Sequence, residues 1–293
     1  MPGTGRKSPK TGVFLLLPCL LWSVAAAASP PHTEGWGQSL AAARAEAERT
    51  GGVIVVDLWA DWCTWCKKLD EEVFTSELFE EWARDKVLLR VNTEDGGEGT
   101  RLQEDYGVTG LPTTLLLDAD GVKLGELQGF SPAATYIQNL SLELAMYGML
   151  VRAYDDVGDE TPIATLQTLA EDFHSRRDGR RAAELYTRLV ELDEDPQEEV
   201  WHRYYLADSL RLRGDLEAAA AAIGPARKAA EELGDEDLLE LLDLLPYHIA
   251  RDREACSEAE GALESYLARH PEGIYLETAK DALAAIRKTH RCA

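Results

Sequence analysis

The stretch VIVVDLWADWCTWCKKLDEEVF, Val53 to Phe74, limits the fold more than any other part of the chain. Val53 to Trp59 is nearly all apolar and largely β-branched, the composition of a strand buried on both faces. After a three-residue turn, Cys63 and Cys66 fall where a helical pattern begins, and that pattern runs to about Arg84. Two cysteines so placed are a redox switch, a structural crosslink or half of a metal site. A crosslink closing so short a loop removes little chain entropy. A zinc site needs four ligands, yet no second CxxC or CxxH pair exists, and Cys256, Cys292 and the six histidines are scattered. Redox chemistry fits best. At the start of a helix, unpaired N–H groups and the positive dipole end stabilise a thiolate, so Cys63 is the expected nucleophile. Cys66, one turn along and less exposed, is expected to resolve the mixed disulfide, with Lys67 and Lys68 adding a modest positive field.

The surrounding pattern extends the strand into a domain. SLAAARAEAERT (Ser39 to Thr50) has high helix propensity and stops at Gly51-Gly52. A second strand, VLLRVN (Val87 to Asn92), leads through a glycine-rich loop to a short helix ending at Gly107. Thr113 to Asp118 and Val122 to Gln128 form an antiparallel hairpin around Ala119 to Gly121. A last helix is expected from about Pro132 to Tyr147. The order implies an α/β layer structure with a mixed sheet. DADG at Asp118 to Gly121 has the opening of a calcium loop but no glutamate at the twelfth position, so it is read as turn chemistry. The sequon at Asn139 falls inside a helix pattern and is set aside.

These segments resemble the thioredoxin family. VVDLWADWCTWCKK matches the family's strand, active-site turn and helix, and YGVTGLPT (Tyr106 to Thr113) matches the loop carrying its cis-proline. DLWADWCTWCK, EVFTSELF and VTGLPTTLLLDADG are similar to the C-terminal periplasmic domain of the bacterial transmembrane thiol:disulfide interchange proteins. The resemblance covers about Ser39 to Tyr147. It implies a thioredoxin fold with a cis Pro112 against the Cys63–Cys66 disulfide, and a Leu111 backbone that pairs with an extended substrate strand. It also implies that Asp57, six residues before Cys63, is a buried aspartate assisting proton transfer from Cys66. An aspartate inside an apolar strand is costly unless used, which points the same way. Burial should raise its pKa. The family's lysine partner for this aspartate is missing. The next strand offers only Arg90, and the sequence leaves open which face Arg90 takes. Trp59 and Trp62 are expected to pack around the site. Trp62, Trp65 and Leu111 are the candidate substrate contacts. The Thr64-Trp65 dipeptide between the cysteines matches neither reducing thioredoxins nor strong oxidants, so it does not fix the redox direction.

The compartment is read from the N-terminus. Arg6, Lys7 and Lys10 precede the apolar run Val13 to Ala28, which ends in A-x-A sites at Ala27 or Ala28. At about 16 residues it is shorter than the ~20 needed to span a bilayer. Residues 1–28 are therefore expected to be a cleaved signal peptide of an exported, periplasmic protein, the alternative being an uncleaved anchor. Cys19 precedes the cut. Removal takes the net charge from -23 to -26. So acidic a surface repels nucleic acid.

Beyond Thr161 strands disappear, and Leu, Ala, Glu and Arg recur at helical spacing with a weak period of 34 to 37 residues. Leu166, Leu169, Ala170, Phe173, Ala182 and Tyr186 have counterparts in Leu206, Ala207, Leu210, Gly214, Ala219 and Ile223. Ala262, Tyr266 and Pro271 repeat the spacing. These units resemble degenerate tetratricopeptide repeats, an ordinary helical bundle being the alternative. The expected organisation is a thioredoxin-like α/β domain at 35–150 and an all-α tetratricopeptide-like domain at 161–290. Cys256 and Cys292 flank the last helical pair at one end, and a disulfide there is expected in an oxidising compartment.

The sequence thus points to an exported thiol–disulfide oxidoreductase with Cys63, Cys66, Asp57 and Pro112 at its centre, reducing or exchanging disulfides of client proteins. A membrane thiol donor is the expected electron source, and no pattern asks for a metal or a cofactor. The alternatives are an oxidase or isomerase, or a helical-repeat module that binds a protein partner and uses the first domain as scaffold.

Overall fold

The computed structural model describes residues 35–292. The expected signal segment, with its cleavage at Ala27 or Ala28, lies outside the described residues. Among those described, no helix is long and apolar enough to cross a membrane.

β1 (Ile54–Trp59) sits inside a four-stranded mixed sheet of order β2-β1-β3-β4. It runs parallel to β2 (Val87–Asn92) and antiparallel to β3 (Thr113–Leu117), which pairs with β4 (Lys123–Gln128). The alternation of β1 splits its side chains between two layers. Ile54, Val56 and Leu58 meet Ala43 and Ala47 of α1 (Leu40–Thr50) and Leu102 of α4 (Glu98–Asp105). Val55 meets Leu69, Val73, Phe79 and Tyr136 on the other side. Those residues come from α2 (Thr64–Leu69), the turn after it, α3 (Glu77–Ala83) and α5 (Ala133–Asp155). Burial on both faces is what the nearly all-apolar run required. In the β3–β4 turn the Asp118 carboxylate accepts from the Asp120 and Val122 amides, each at 2.9 Å, so its oxygens serve the turn. Gly121 takes φ 85°, and a side chain there would meet Arg44 and Tyr106.

Two helices differ from expectation. The run from Cys63 to Arg84 is three pieces: α2, a π-helical turn at Asp70–Phe74, and α3. The wider turn buries Asp70, and Ser76 restarts the helix by capping the Phe79 amide at 3.2 Å. The helix expected to stop at Tyr147 continues to Asp155. Its first half packs Tyr136 and Leu140 into the sheet layer, while Leu150, Val151 and Tyr154 pack into the first core of the helical half. The apolar spacing continues past 147 because a second core is waiting for it.

That half consists of α6 (Ile163–Ser175), α7 (Gly179–Leu192), α8 (Pro196–Leu212), α9 (Leu216–Leu233), α10 (Glu236–Asp252), α11 (Cys256–Arg269) and α12 (Leu276–Thr289). Each packs on its neighbours, giving a row of small cores. The starts of α6, α8, α10 and α12 are 33, 40 and 40 residues apart, a less even spacing that falls on either side of the period of 34 to 37. Cys256 opens α11, Cys292 follows α12, and the two are bonded with Cα atoms 5.0 Å apart. The array is tied to the sheet domain at two places. The Arg176 carbonyl accepts from the Lys123 amide at 2.7 Å, occupying the edge of β4. At the end of α4, Asp105 receives Arg251 on its carboxylate at 2.7 Å and Arg177 on its carbonyl at 3.0 Å.

Candidate active site

β1 delivers its chain to a turn in which the Cys63 amide donates to the Ala60 carbonyl at 3.0 Å. Cys63 then caps α2, its Sγ accepting from the Cys66 amide at 3.1 Å. A backbone N–H aimed at sulfur stabilises the thiolate that reduction would release. Cys63 and Cys66 are bonded, with Cα atoms 5.3 Å apart. Both are almost fully covered, at 3% and 2% exposure, so the expected difference in exposure between them is slight. What distinguishes them is position: one caps the helix, the other lies within it. Leu111 packs against the pair, and the Leu111–Pro112 peptide is cis.

The cover of the site is aromatic. Trp62 and Trp65 are exposed by 64% and 56%, large values for tryptophan on either side of a reactive pair. The Trp62 indole N–H donates to Glu94 at 2.7 Å. Trp65 stacks on Phe130 with centroids 5.8 Å apart, and the Lys68 ammonium lies over both rings, 5.4 and 4.7 Å from their centroids. Lys68 is therefore engaged with this stack rather than aimed at Cys63.

β1, β2 and the turn after α2 bring together a buried charged cluster. Asp57 and Arg90 are register partners on the parallel strands β1 and β2, so they share a face of the sheet. This settles the side Arg90 takes. Its Nε is 3.0 Å from Asp57 Oδ2, its Nη1 donates to Asp70 at 2.7 Å, and its guanidinium lies 5.4 Å from the Trp59 ring. All three charged residues are buried. Neither Asp57 oxygen is hydrogen-bonded, because Arg90 Nε sits off the line of donation. Desolvation pushes the Asp57 pKa up to about 7, Arg90 opposing and Asp70 reinforcing the shift. A buried carboxyl with free oxygens and a pKa near neutrality exchanges a proton readily.

Sequence reasoning missed Asp70, Glu94 and Phe130. Asp70 gave one signal, a carboxylate one turn after Cys66 on the face that carries Cys66 and Leu69 inward. Glu94 and Phe130 lie in loops and gave none.

A capped, disulfide-forming CxxC on a mixed sheet flanked by helices, next to a cis-proline loop and a buried aspartate, defines the thioredoxin-like disulfide oxidoreductases. Residues 40–142 match the family described as Thioredoxin-like domain, and this part of the chain is such a domain. Among curated relatives, the thiol:disulfide interchange protein DsbD of Yersinia enterocolitica is 36% identical over 97 residues, 32% of this chain and 17% of that protein. DsbD of Citrobacter koseri is 35% identical over 100 residues, 33% of this chain and 18% of that protein. The chain thus spans under a fifth of the length of these relatives. Among solved structures, the oxidised C-terminal domain of Neisseria meningitidis DsbD aligns with a TM-score of 0.33 and 22% identity, over 35% of this chain and 90% of that one.

Proposed function

We propose that this protein reduces or exchanges disulfides in client polypeptides outside the cytoplasm, recharged by a membrane-bound thiol donor. The observation that carries the reading is the cap: Cys63 Sγ receives the Cys66 amide at the start of α2, beside Leu111 and the exposed tryptophans. In the reaction, the Cys63 thiolate attacks one sulfur of a client disulfide, and the other client sulfur leaves as a thiolate. Asp57 takes the proton of the Cys66 thiol. The Cys66 sulfur then attacks Cys63 Sγ, which closes the Cys63–Cys66 bond and releases the second client thiol. Two electrons pass to the client, and the chain is left oxidised. Leu111 and Pro112 position the client strand, while Trp62 and Trp65 flank it.

Equilibrating the full chain against glutathione and dithiothreitol buffers tests this reading. A reductant should have a potential near the thioredoxin figure of about -270 mV, whereas an oxidase or isomerase would lie towards about -120 mV. A pair that does not cycle at all would overturn the oxidoreductase reading.

The second disulfide has a structural role in this scheme, closing a 36-residue separation around the α11–α12 pair. Cys256→Ser with Cys292→Ser should lower stability by about 3–4 kcal/mol, read as the urea midpoint at unchanged slope. The disulfide-exchange rate at Cys63 should stay as it was. Two free thiols at these positions in the native, unreduced protein would remove the assignment.

A further inference from the structure

A groove of about 1210 Å³ lies between the sheet domain and the end of the helical array. It exceeds the roughly 300–1,000 Å³ of small-molecule pockets, so its size suits a segment of polymer. Three helices each give it one stripe. From α4 and the loop before it come Gly96, Gly97 and Arg101; from α10, Leu241 and Tyr247; from α12, Thr278, Ala282 and Ala285. The α12 stripe is small, leaving room for a chain to approach closely, and Tyr204 and Tyr275 bring amphipathic rings to the walls.

Two observations choose the occupant. The first is continuity with the redox face. Trp62, next to Cys63, donates to Glu94, and two residues further the same loop reaches the groove at Gly96 and Gly97. A polypeptide whose disulfide lies at Cys63 can therefore follow this loop into the groove. The second is charge. The chain carries 53 acidic and 30 basic residues, yet the groove balances Arg101, Arg251 and Arg291 against Glu98, Glu104 and Asp281. A lining without net charge between aliphatic and tyrosine walls favours an uncharged, apolar segment.

We propose that this groove holds an extended, uncharged, apolar stretch of the client polypeptide whose disulfide meets the Cys63–Cys66 pair. This rests on the oxidoreductase reading and adds to it a substrate class: unfolded or flexible chain segments, because a folded surface does not enter a cleft between two parts of one molecule. The helical array then selects clients, and the dithiol acts on what it holds.

The test separates binding from chemistry. A fluorescein-labelled apolar peptide of about 12 residues, ~40 Å when extended, carries serine in place of cysteine and is titrated with the full chain by anisotropy. Saturable binding is expected, weakened at least tenfold by Ala285→Trp. Thr278→Trp, exposed on the same stripe, is the second blocking variant and should act alike. Ala284→Trp, equally exposed but off the lining, should bind as the parent does. Unsaturable binding by the parent chain, or equal binding by all the variants, would overturn the groove assignment. The parent chain is also assayed for reduction of glutathione disulfide, which is too small to need the groove. A pair that exchanges with glutathione in neither direction would overturn the oxidoreductase reading, and the anisotropy result would still decide the groove.

Discussion

Cys63→Ser should slow disulfide exchange at least ~10³-fold, to the background rate of uncatalysed thiol chemistry. Serine keeps the helix cap but is no nucleophile towards sulfur at neutral pH, so the loss reports chemistry rather than folding. Cys66→Ser behaves differently. Cys63 still attacks, one client thiolate still leaves, and the mixed disulfide has nothing to resolve it. One client chain per protein should accumulate as an adduct that dithiothreitol releases, visible by mass spectrometry under non-reducing conditions. Multiple turnovers by Cys66→Ser at the parent rate would disprove the assigned order of attack, and adducts at Cys256 or Cys292 would move the chemistry to the other end of the molecule.

Arg90→Leu should be the most damaging change that touches no sulfur. It leaves Asp57 and Asp70 buried without their shared cation, and removing one partner of a buried charge cluster costs roughly 3–5 kcal/mol. The loss should depend on pH with a definite sign. Asp57 in the folded protein already titrates near 7 rather than at the ordinary 3.8, so the folded state holds a proton that the unfolded state has released between those values. Stability from this group is therefore present below pH ~4 and is lost as pH rises through about 7. Removing the guanidinium, which opposes the shift, pushes the Asp57 pKa higher and extends the loss further into the alkaline range. Urea unfolding of parent and variant should differ least near pH 4 and most near pH 8. A gap that shrinks as pH rises would mean that Arg90 is not what holds Asp57.

Much of the sheet domain and its reactive pair was legible because it is written in local patterns. A nearly all-apolar run needs cover on both faces, a turn sets Cys63 at the helix start, and ADG closes a hairpin. What could not be read depends on register and on layers from distant parts of the chain. Arg90 faces Asp57 because β1 and β2 pair in parallel with those two residues opposite, which no periodicity within VLLRVN reveals. Asp70 joins them through a π-helical turn, and a pattern read at 3.6 residues per turn passes over it. The stop expected at Tyr147 failed for a similar reason. Leu150, Val151 and Tyr154 answer to a core built more than ten residues later in the sequence.

That shared α5 bears on how the two parts could have come together. A domain appended through a loose linker can be lost or exchanged while its neighbour's surface stays intact. Here one helix completes the core of both parts, so cutting it at its middle would strand Tyr136 and Leu140 on one side, and Leu150 and Tyr154 on the other, without the helix that seats them. A redox domain standing alone would need a shorter or differently surfaced last helix, because Leu150, Val151 and Tyr154 would otherwise lose the core that covers them. The two parts are therefore joined through one continuous helix rather than as two beads on a string.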